Sequence, residues 1–105
     1  MKMIKAIIRP EKEFDVIRGL EKKGYYSLTK LDVLGRGRQK GVRVGSATYD
    51  ELAKLMLIMV VEDADSPKVV KIIREYGQTG NFGDGKIFVS EVKEAYTIRT
   101  GKNHL

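Results

Sequence analysis

The hydrophobic and polar positions of the first quarter of the chain follow two patterns, and each pattern predicts a different element. Residues 3–8 form an apolar segment that ends before a proline, which is too short for a core helix and indicates a strand. After it, Phe14, Ile17 and Leu20 recur every three residues among charged positions. This spacing predicts an amphipathic helix over residues 11–23, and the glycine that follows stands where a C-cap glycine is expected.

The chain that follows is predicted to hold two further strands and then a second helix. Residues 28–34 alternate between apolar and polar positions and predict a strand. Residues 55–61 are apolar throughout and predict a central strand covered on both faces. Ser66 and Pro67 predict a helix start, with Ser66 as the N-cap and Pro67 at the first helical position. This helix is predicted to end at Gly77. Its apolar side holds four residues: Val69, Val70, Ile73 and Tyr76.

A last strand is predicted over residues 86–92, and it completes the order β-α-β-β-α-β. This order is typical of the ferredoxin-like α+β fold, in which one antiparallel sheet carries two helices. We therefore expect a single domain over residues 1–105 with three irregular segments. These are a long loop after the second strand, a glycine-rich loop, and a C-terminal tail that adds a short strand or folds over a neighbour: residues 36–53, 79–86 and 96–105.

The composition excludes several classes of protein and favours an anionic partner. Twenty Lys or Arg residues against fourteen Asp or Glu residues give a formal net charge of +6, which attracts nucleotides, nucleic acids or acidic proteins. The chain has no cysteine, which excludes disulfides, thiol nucleophiles and Cys-ligated metals. Its longest apolar run, residues 55–61, is too short to span a membrane, and its first ten residues do not form a signal peptide. We expect a cytoplasmic protein.

The glycine-rich loop matches a P-loop only in part. Gly80, Gly85 and Lys86 have the P-loop spacing, but Ile87 stands where a Ser or Thr would bind Mg²⁺, and a strand rather than a helix follows. One interpretation is a turn with an exposed lysine, in which Asp84 only shapes the turn. The other is a phosphate site formed by backbone N–H groups, with Lys86 as the charge partner.

The start of the long loop, Gly35–Gly41, alternates glycines with basic and amide side chains. It is open to three interpretations: a solvated basic loop, an RNA-binding patch, or a site for a small anion. RNA-recognition domains of this topology stack bases on aromatic residues of the central strands. Residues 3–8 and 55–61 contain no aromatic residue, which argues against RNA. No residue set for a hydrolase can be assembled, and only Arg9 hints at acylphosphatase-like chemistry, so we expect a binding protein rather than an enzyme.

Three ordered motifs, spread over essentially the whole chain, resemble those of the PII signal-transduction proteins. They are Gly35-x-Gly37-Arg38-Gln39-Lys40-Gly41, Thr79-Gly80-x-x-Gly83-Asp84-Gly85-Lys86-Ile87-Phe88-Val89 and Ile98-Arg99-Thr100-Gly101. The resemblance implies a homotrimer in which ATP or ADP binds in clefts between subunits and 2-oxoglutarate binds beside Mg-ATP. In the family, the long loop changes shape with these ligands and docks on target proteins.

The resemblance also implies roles for individual positions. The nucleotide residues are Thr29 at the adenine end, Gly37 and Arg38 along the nucleotide, Gly83, Asp84, Gly85 and Lys86 around the phosphates, and Arg99 from the adjacent subunit. The 2-oxoglutarate residues are Gln39, Lys40, Gly41 and Lys54, and Gln39 is also the Mg²⁺ ligand. Two positions depart from the family pattern, because Thr97 stands where most members have a second phosphate-binding arginine and Ala53 replaces a proline.

The short loop sequence Val44–Leu52 and the ending Glu94–Gly101 resemble the branch of the family that is encoded in nitrogen-fixation gene clusters, and in particular the first of its two paralogues. In that branch the two paralogues bind dinitrogenase together and inhibit it, and 2-oxoglutarate with ATP relieves the inhibition. The resemblance therefore implies a nitrogen-status sensor that acts on nitrogenase, as a homotrimer or together with its paralogue. The alternative is a general regulator of ammonium transport or nitrogen-assimilation enzymes. An RNA-binding domain is the alternative of a different class.

Overall fold

The computed structural model of the protein describes residues 1–36, 42–44, 47–49 and 51–105. Within these ranges, six strands and two helices follow one another. They are β1 (Lys2–Ile8), α1 (Glu13–Glu21), β2 (Thr29–Gly35), β3 (Val42–Val44), β4 (Ala47–Tyr49), β5 (Leu52–Val61), α2 (Ser66–Gly77) and β6 (Gly85–Glu91). A short 3₁₀ turn precedes each helix, at Pro10–Lys12 and at Asp63–Asp65. No helix within the described ranges is long and apolar enough to cross a membrane.

Four of the strands form one sheet in the order β2-β5-β1-β6, and every neighbouring pair is antiparallel. The two helices pack against each other and cover one face of this sheet. The predicted α+β ferredoxin-like fold is therefore confirmed. Its core lies between the helices and the sheet and consists of apolar side chains from β1, β5 and both helices: Ile4, Ala6, Ile8, Val16, Leu20, Leu55, Leu57, Met59, Val61, Val69, Ile72 and Ile73.

The buried side of α1 differs from the predicted one. Val16, Gly19 and Leu20 are buried, whereas Phe14 is 71% exposed and lies under the guanidinium of Arg18, 5.7 Å from the ring centre. A spacing of three residues drifts around a helix, so two positions six residues apart differ by about 120°. Phe14 has therefore rotated away from the side on which Leu20 is buried.

The start of α2 also differs by one position from the prediction. The N-cap position belongs to Asp65, Ser66 is the first helical residue, and no side chain caps the helix. The preceding 3₁₀ turn takes over this role, because the backbone N–H groups of Asp65 and Ser66 both donate to the carbonyl of Glu62. The helix still ends at Gly77 as predicted.

The side of α2 that meets the core differs in part from the predicted one. Val69 and Ile73 are buried as expected, and Ile72 is buried too, whereas Tyr76 is only partly covered. The Tyr76 ring lies directly over Gly19 of α1, so closely that a Cβ there would be 2.6 Å from the ring.

Strand β5 is central, but only one of its faces is covered. Its buried residues alternate with half-buried ones, and the half-buried set lies on the sheet face away from the helices. The prediction of a strand covered on both faces is thus wrong for a single chain. The residues on this uncovered side, which we call the open face, are mainly apolar. They include Met3, Ile7, Leu31, Val33, Met56, Ile58, Val60 and Phe88.

The long connection and the tail contain more structure than the sequence predicted. Strand β5 begins at Leu52 rather than at residue 55, and β3 and β4 form a separate two-stranded antiparallel ribbon inside the connection. In the tail, Tyr96 makes a single antiparallel bridge to Asn103, and the N–H of Thr97 donates to the carbonyl of Lys102. The tail therefore folds back on itself instead of adding a strand to the sheet.

Candidate functional site

The register of the sheet brings three parts of the chain together at one edge. Ile8, the last residue of β1, lies opposite both Leu55 of β5 and Gly85 of β6. Because these strands are antiparallel, the residue after Ile8 and the residues before Leu55 and Gly85 lie at the same end of the three strands. Arg9, Lys54 and Asp84 consequently meet beside the glycine-rich loop.

The carboxylate of Asp84 holds this loop in shape. It accepts hydrogen bonds from the backbone N–H groups of Thr79 at 2.8 Å and Gly80 at 2.9 Å, and from the Thr79 hydroxyl at 2.5 Å. The Thr79 hydroxyl oxygen in turn accepts the N–H of Asn81 at 3.2 Å. These contacts show that Asp84 shapes the turn, which is compatible with either interpretation of the loop.

Arg9 joins the end of β1 to the glycine-rich loop. Its Nε donates to Asp84 at 3.0 Å, and its Nη2 donates to the carbonyl of Phe82 at 2.7 Å. A carboxylate of Glu11 lies 3.8 Å from the same guanidinium. The guanidinium thus balances the charge of Asp84 and fixes the loop with the planar, multi-donor geometry that is particular to arginine.

Lys54 joins the base of the long connection to the same loop. Its ammonium donates to the carbonyl of Gly83, and its stem passes close to Gly35, where a Cβ would be 3.3 Å from the Lys54 Cγ. Gly35 and Leu52, the residues that flank the long connection, are paired across β2 and β5. A single side chain therefore links the start of β5 to the loop before β6.

The three glycines of the loop cannot be replaced without strain. Gly80 has a φ of +87°, Gly83 of +96° and Gly85 of +108°, values that L-residues rarely adopt. A Cβ at Gly85 would come within 1.7 Å of the carbonyl oxygen of Ile7. The glycine at this position is therefore required by the close approach of β6 to β1.

The electrostatics of the site favour one further anion. The hydrogen bond from the Thr79 hydroxyl holds the pKa of the Asp84 carboxyl well below its usual range, so this group stays charged and neutralised by its donors. Burial, and then the charge of Arg9, lower the pKa of the Lys54 ammonium. A bound carboxylate or phosphate near Lys54 would offset both effects, because an opposite charge favours the charged form of a lysine.

A shallow groove of about 230 Å³ runs beside this site between β6 and the end of α2. Arg74 and Gln78 of α2 line one side of the groove, and Asp84 and Lys86 line the other. Sites for drug-sized ligands occupy roughly 300–1,000 Å³, so the groove of one chain is smaller than a typical complete site. Its exposed lining is mainly apolar, and the cations of Arg74 and Lys86 at its sides are the groups that it offers to part of an anionic ligand.

The structure brings some of the predicted site residues together and leaves others apart. Gly83, Asp84, Gly85, Lys86 and Lys54 gather at the edge described above, and Gly85 and Lys86 are the first residues of strand β6. The strand context argues against a P-loop, as the sequence indicated. Five predicted residues lie outside the described ranges: Gly37, Arg38, Gln39, Lys40 and Gly41.

Two further predicted residues are remote from the loop within one chain. Thr29 begins β2 at the opposite edge of the sheet, three strand spacings or about 14 Å from β6. Arg99 is exposed in the turn of the tail, which ends with the N–H of Gly101 donating to the carbonyl of Thr97 at 2.7 Å.

Sequence reasoning did not assign Arg9 and Thr79 to the site. Both side chains contact Asp84, and Arg9 also holds Phe82 through its carbonyl oxygen. Thr79 stands within the loop motif and Arg9 follows a strand, but only the register of β1 with β6 shows that they meet.

The chain is similar throughout its length to proteins that are already known. Residues 1–102 match the family model described as nitrogen regulatory protein P-II. A nitrogen fixation nifHD1 region GlnB-like protein 1 of Methanosarcina barkeri is 58% identical over 102 residues, which cover 97% of both chains. A nifHD region GlnB-like protein 1 of Methanothermobacter marburgensis is 54% identical over 105 residues, which cover both chains completely.

A relative with a more general name is less similar. The nitrogen regulatory protein P-II 2 of Methanothermobacter thermautotrophicus is 46% identical over 107 aligned residues, which cover 98% of this chain and 93% of that protein.

Proposed function

Because this chain belongs to the nitrogen regulatory protein P-II family, we propose that it is a cytoplasmic nitrogen-status sensor that regulates nitrogenase by direct contact. It binds ATP or ADP together with Mg²⁺ and 2-oxoglutarate, and these ligands set the conformation of the long connection. It acts through binding and not through catalysis. The relatives named for nitrogen-fixation regions support the link to nitrogen fixation.

The observation that carries this proposal is the hydrogen bond from Lys54 to the carbonyl of Gly83. It joins the base of the long connection to the loop that the family resemblance assigns to the phosphates. A ligand carboxylate that attracts Lys54 would compete with the Gly83 carbonyl for the same ammonium. The ligand can then shift the conformation of the connection, because it binds the two arrangements with different affinity.

The nucleotide is proposed to bind along Gly83, Asp84, Gly85 and Lys86. Backbone N–H groups of a glycine-rich loop can converge on a phosphate, and Lys86 adds a positive charge at the start of β6. The Asp84 carboxylate does not oppose this role, since it is already engaged by Arg9 and Thr79. Its contribution is to position the loop.

The remaining ligand contacts are proposed from the family resemblance. Gly37 and Arg38 line the nucleotide. Gln39 binds Mg²⁺, as a neutral oxygen ligand of the kind that this ion accepts. The backbone of Lys40 and Gly41 holds 2-oxoglutarate together with Lys54.

The complete site is proposed to form in a homotrimer. The open face is an apolar sheet surface, in which Leu31 is 45% and Phe88 is 51% exposed, and contiguous exposed apolar surface marks protein–protein contacts. Thr29 and Arg99 do not reach the glycine-rich loop of their own chain. They would contribute to the site of a neighbouring copy, or of a paralogous subunit in a mixed assembly.

Calorimetric titration of Mg-ATP into the purified protein, with and without 2-oxoglutarate, tests the ligand part of the proposal. We expect each ligand to increase the affinity of the other by the same factor, because coupling between two binding sites is reciprocal. Binding of neither ligand would contradict the proposal for the homomeric protein. Repeating the titration after mixing with the paralogue would then test the mixed assembly.

Replacing Lys54 tests whether 2-oxoglutarate and the nucleotide depend on different residues. We expect Lys54→Ala to abolish the effect of 2-oxoglutarate while ADP binding stays largely intact, since a lost charged hydrogen bond costs about 1.5–3 kcal/mol. Lys86→Ala should instead weaken ATP binding by a similar amount. Lys93→Ala, at an exposed position outside the site, is the matched control. Equal loss of both ligands in Lys54→Ala would contradict the separate roles.

The target is tested by direct binding to dinitrogenase. We expect the protein to bind dinitrogenase without 2-oxoglutarate and to release it when Mg-ATP and 2-oxoglutarate are added together. A protein that ignored dinitrogenase but bound an ammonium transporter in the same assay would instead be a general regulator. Binding to RNA at physiological salt without any response to ATP would support the different-class alternative.

A further inference from the structure

A second groove lies on the helical side of the molecule, away from the glycine-rich loop. It runs between the turn after α1 and the outer side of α2, and its volume is about 590 Å³. This is within the range of roughly 300–1,000 Å³ that small-molecule sites occupy. Six residues line it: Lys23, Tyr25, Lys68, Lys71, Ile72 and Glu75.

The floor of this groove, which we call the lysine groove, is apolar and fixed in place. Ile72 is buried in the core, and Tyr25 packs against the core as a half-buried residue. The Tyr25 hydroxyl donates to the carboxylate of Asp65 at 2.9 Å. The turn that carries Tyr25 is closed by its N–H, which donates to the carbonyl of Leu20 at 3.0 Å. The ring is therefore held at both ends and presents a defined surface.

The rim of the lysine groove carries an excess of positive charge. Three ammonium groups, of Lys23, Lys68 and Lys71, line it together with the carboxylate of Glu75, and the carboxylate of Asp65 lies at the hydroxyl end of Tyr25. Lys71 and Glu75 form an exposed pair at 3.9 Å, one helical turn apart, and such surface pairs contribute little. Within the described residues, Lys23 and Lys68 have no carboxylate within 4 Å. The rim is thus free to bind an anion.

The lysine groove is separate from the site at the glycine-rich loop. Arg74 and Gln78 of α2 face that site, whereas Lys68, Lys71 and Glu75 line the lysine groove. The two grooves have no lining residue in common. A ligand of the lysine groove would therefore not compete directly with a nucleotide.

We propose that the lysine groove binds a free organic anion in which a phosphate or carboxylate group is attached to an apolar or aromatic body. The anionic group lies among the three ammonium groups, and the body lies on Tyr25 and Ile72. Neither part is sufficient alone, because exposed lysines attract any small anion only weakly and an open apolar floor binds an uncharged ring only weakly.

Nuclear magnetic resonance with three small probes tests this proposal on the full-length protein. Phenyl phosphate carries both features, inorganic phosphate carries only the charge, and benzyl alcohol carries only the ring. We expect saturable shifts of the amide signals of residues 23–25 and 68–75 with phenyl phosphate, at an affinity about tenfold or more above that of either other probe. Equal affinities for phenyl phosphate and inorganic phosphate would overturn the proposal.

Variants that replace lysines with uncharged glutamine show where phenyl phosphate binds. The double variant Lys68→Gln/Lys71→Gln should weaken phenyl phosphate about tenfold or more, because it removes two of the three cations. The control Lys93→Gln/Lys102→Gln removes the same net charge outside the groove and should leave the affinity unchanged. Unfolding curves verify that both variants are folded. Equal weakening in both variants, or shifts confined to residues 79–86, would refute a site in the lysine groove.

Discussion

A carboxylate inside a loop that is proposed to bind phosphate groups needs a physical reason, since like charges repel. Asp84 is the case in point. Its two oxygens accept four hydrogen bonds, from Arg9, Gly80 and the backbone and hydroxyl of Thr79. These donors neutralise the negative charge within the loop. They also hold the loop backbone in one conformation.

Replacing Asp84 with Asn is expected to destabilise the protein in a pH-dependent way. The folded-state pKa of Asp84 is lowered below its unfolded value of about 3.9. Its charge therefore stabilises the fold above that value, and this contribution is lost as the pH falls through the folded-state pKa. We expect the variant to lose about 1–2 kcal/mol of unfolding free energy at neutral pH.

Urea unfolding at several pH values measures this loss. The difference between wild type and Asp84→Asn should be constant from pH 7 to about 5 and should shrink below about pH 4. A difference that grew towards acid pH would contradict the assigned direction. Gln78→Asn, an amide substitution beside the loop that changes no charge, controls for a general effect of altering this region.

The limit of sequence-based prediction at this scale is visible in Arg9 and Lys54. The family resemblance implies a role for Lys54, whereas Arg9 gives only a hint of acylphosphatase-like chemistry. Their convergence on Phe82 and Gly83 depends on Ile8 lying opposite both Leu55 and Gly85. That register involves strands far apart in the chain, and no local pattern contains it.

At the scale of elements, the type and order of the helices and main strands could be read from hydrophobic periods, because each period reflects which side of an element is buried. The parts of the sequence-based prediction that were wrong depend on contacts with neighbouring elements. The buried side of α1 is set by contact with α2, where Tyr76 occupies the space above Gly19. The apolar run of β5 reflects a surface that one chain does not cover, and the period alone cannot distinguish this from a buried interior.

Strand β6 depends on the glycine at its first position. In Gly85→Ala the new Cβ would meet the carbonyl of Ile7, which lies at 1.7 Å, in a backbone with φ of +108°. We expect a loss of about 3 kcal/mol or more of unfolding free energy, or no folding. Gly80→Ala has the same kind of positive φ but nothing within 4 Å of the added atom, so it should cost only about 1 kcal/mol.

Thermal and urea unfolding of these two variants compare a steric clash with backbone strain alone. Because both substitutions add the same methyl group to the same loop region, their difference isolates the contact with β1. Similar losses in the two variants would mean that β6 can move away from Ile7 without cost.

At the scale of the whole molecule, the two sheet faces differ in what covers them. The helices cover one face, while the open face keeps half-buried residues such as Met56, Ile58 and Val60 along its central strand. Lys5, opposite Ile58 on β1, is a cation in the midst of this surface. An assembly built on the open face would bury the apolar residues and bring the glycine-rich loop of one copy towards Thr29 of another.

Placing a charge on the open face is expected to prevent assembly. Ile58→Lys should convert the proposed trimer to monomers, because the new ammonium would lie opposite Lys5 and an unpaired charge in an apolar interface is costly to desolvate. Phe14→Lys adds the same charge on the helical side, where the residue is 71% exposed, and should leave the assembly unchanged. Sedimentation velocity distinguishes monomer from trimer. Dissociation by Phe14→Lys but not by Ile58→Lys would place the interface elsewhere.

The pairing of Gly35 with Leu52 has a consequence for how such a molecule diversifies. The residues between them leave the sheet and return to it at one point. The sheet therefore constrains only the distance between the two ends of this segment. Doubling the length of a closed loop costs only about 0.6 kcal/mol. One scaffold can therefore exchange this segment for another of different length or sequence, as a graft, while the contact between Lys54 and the glycine-rich loop is kept.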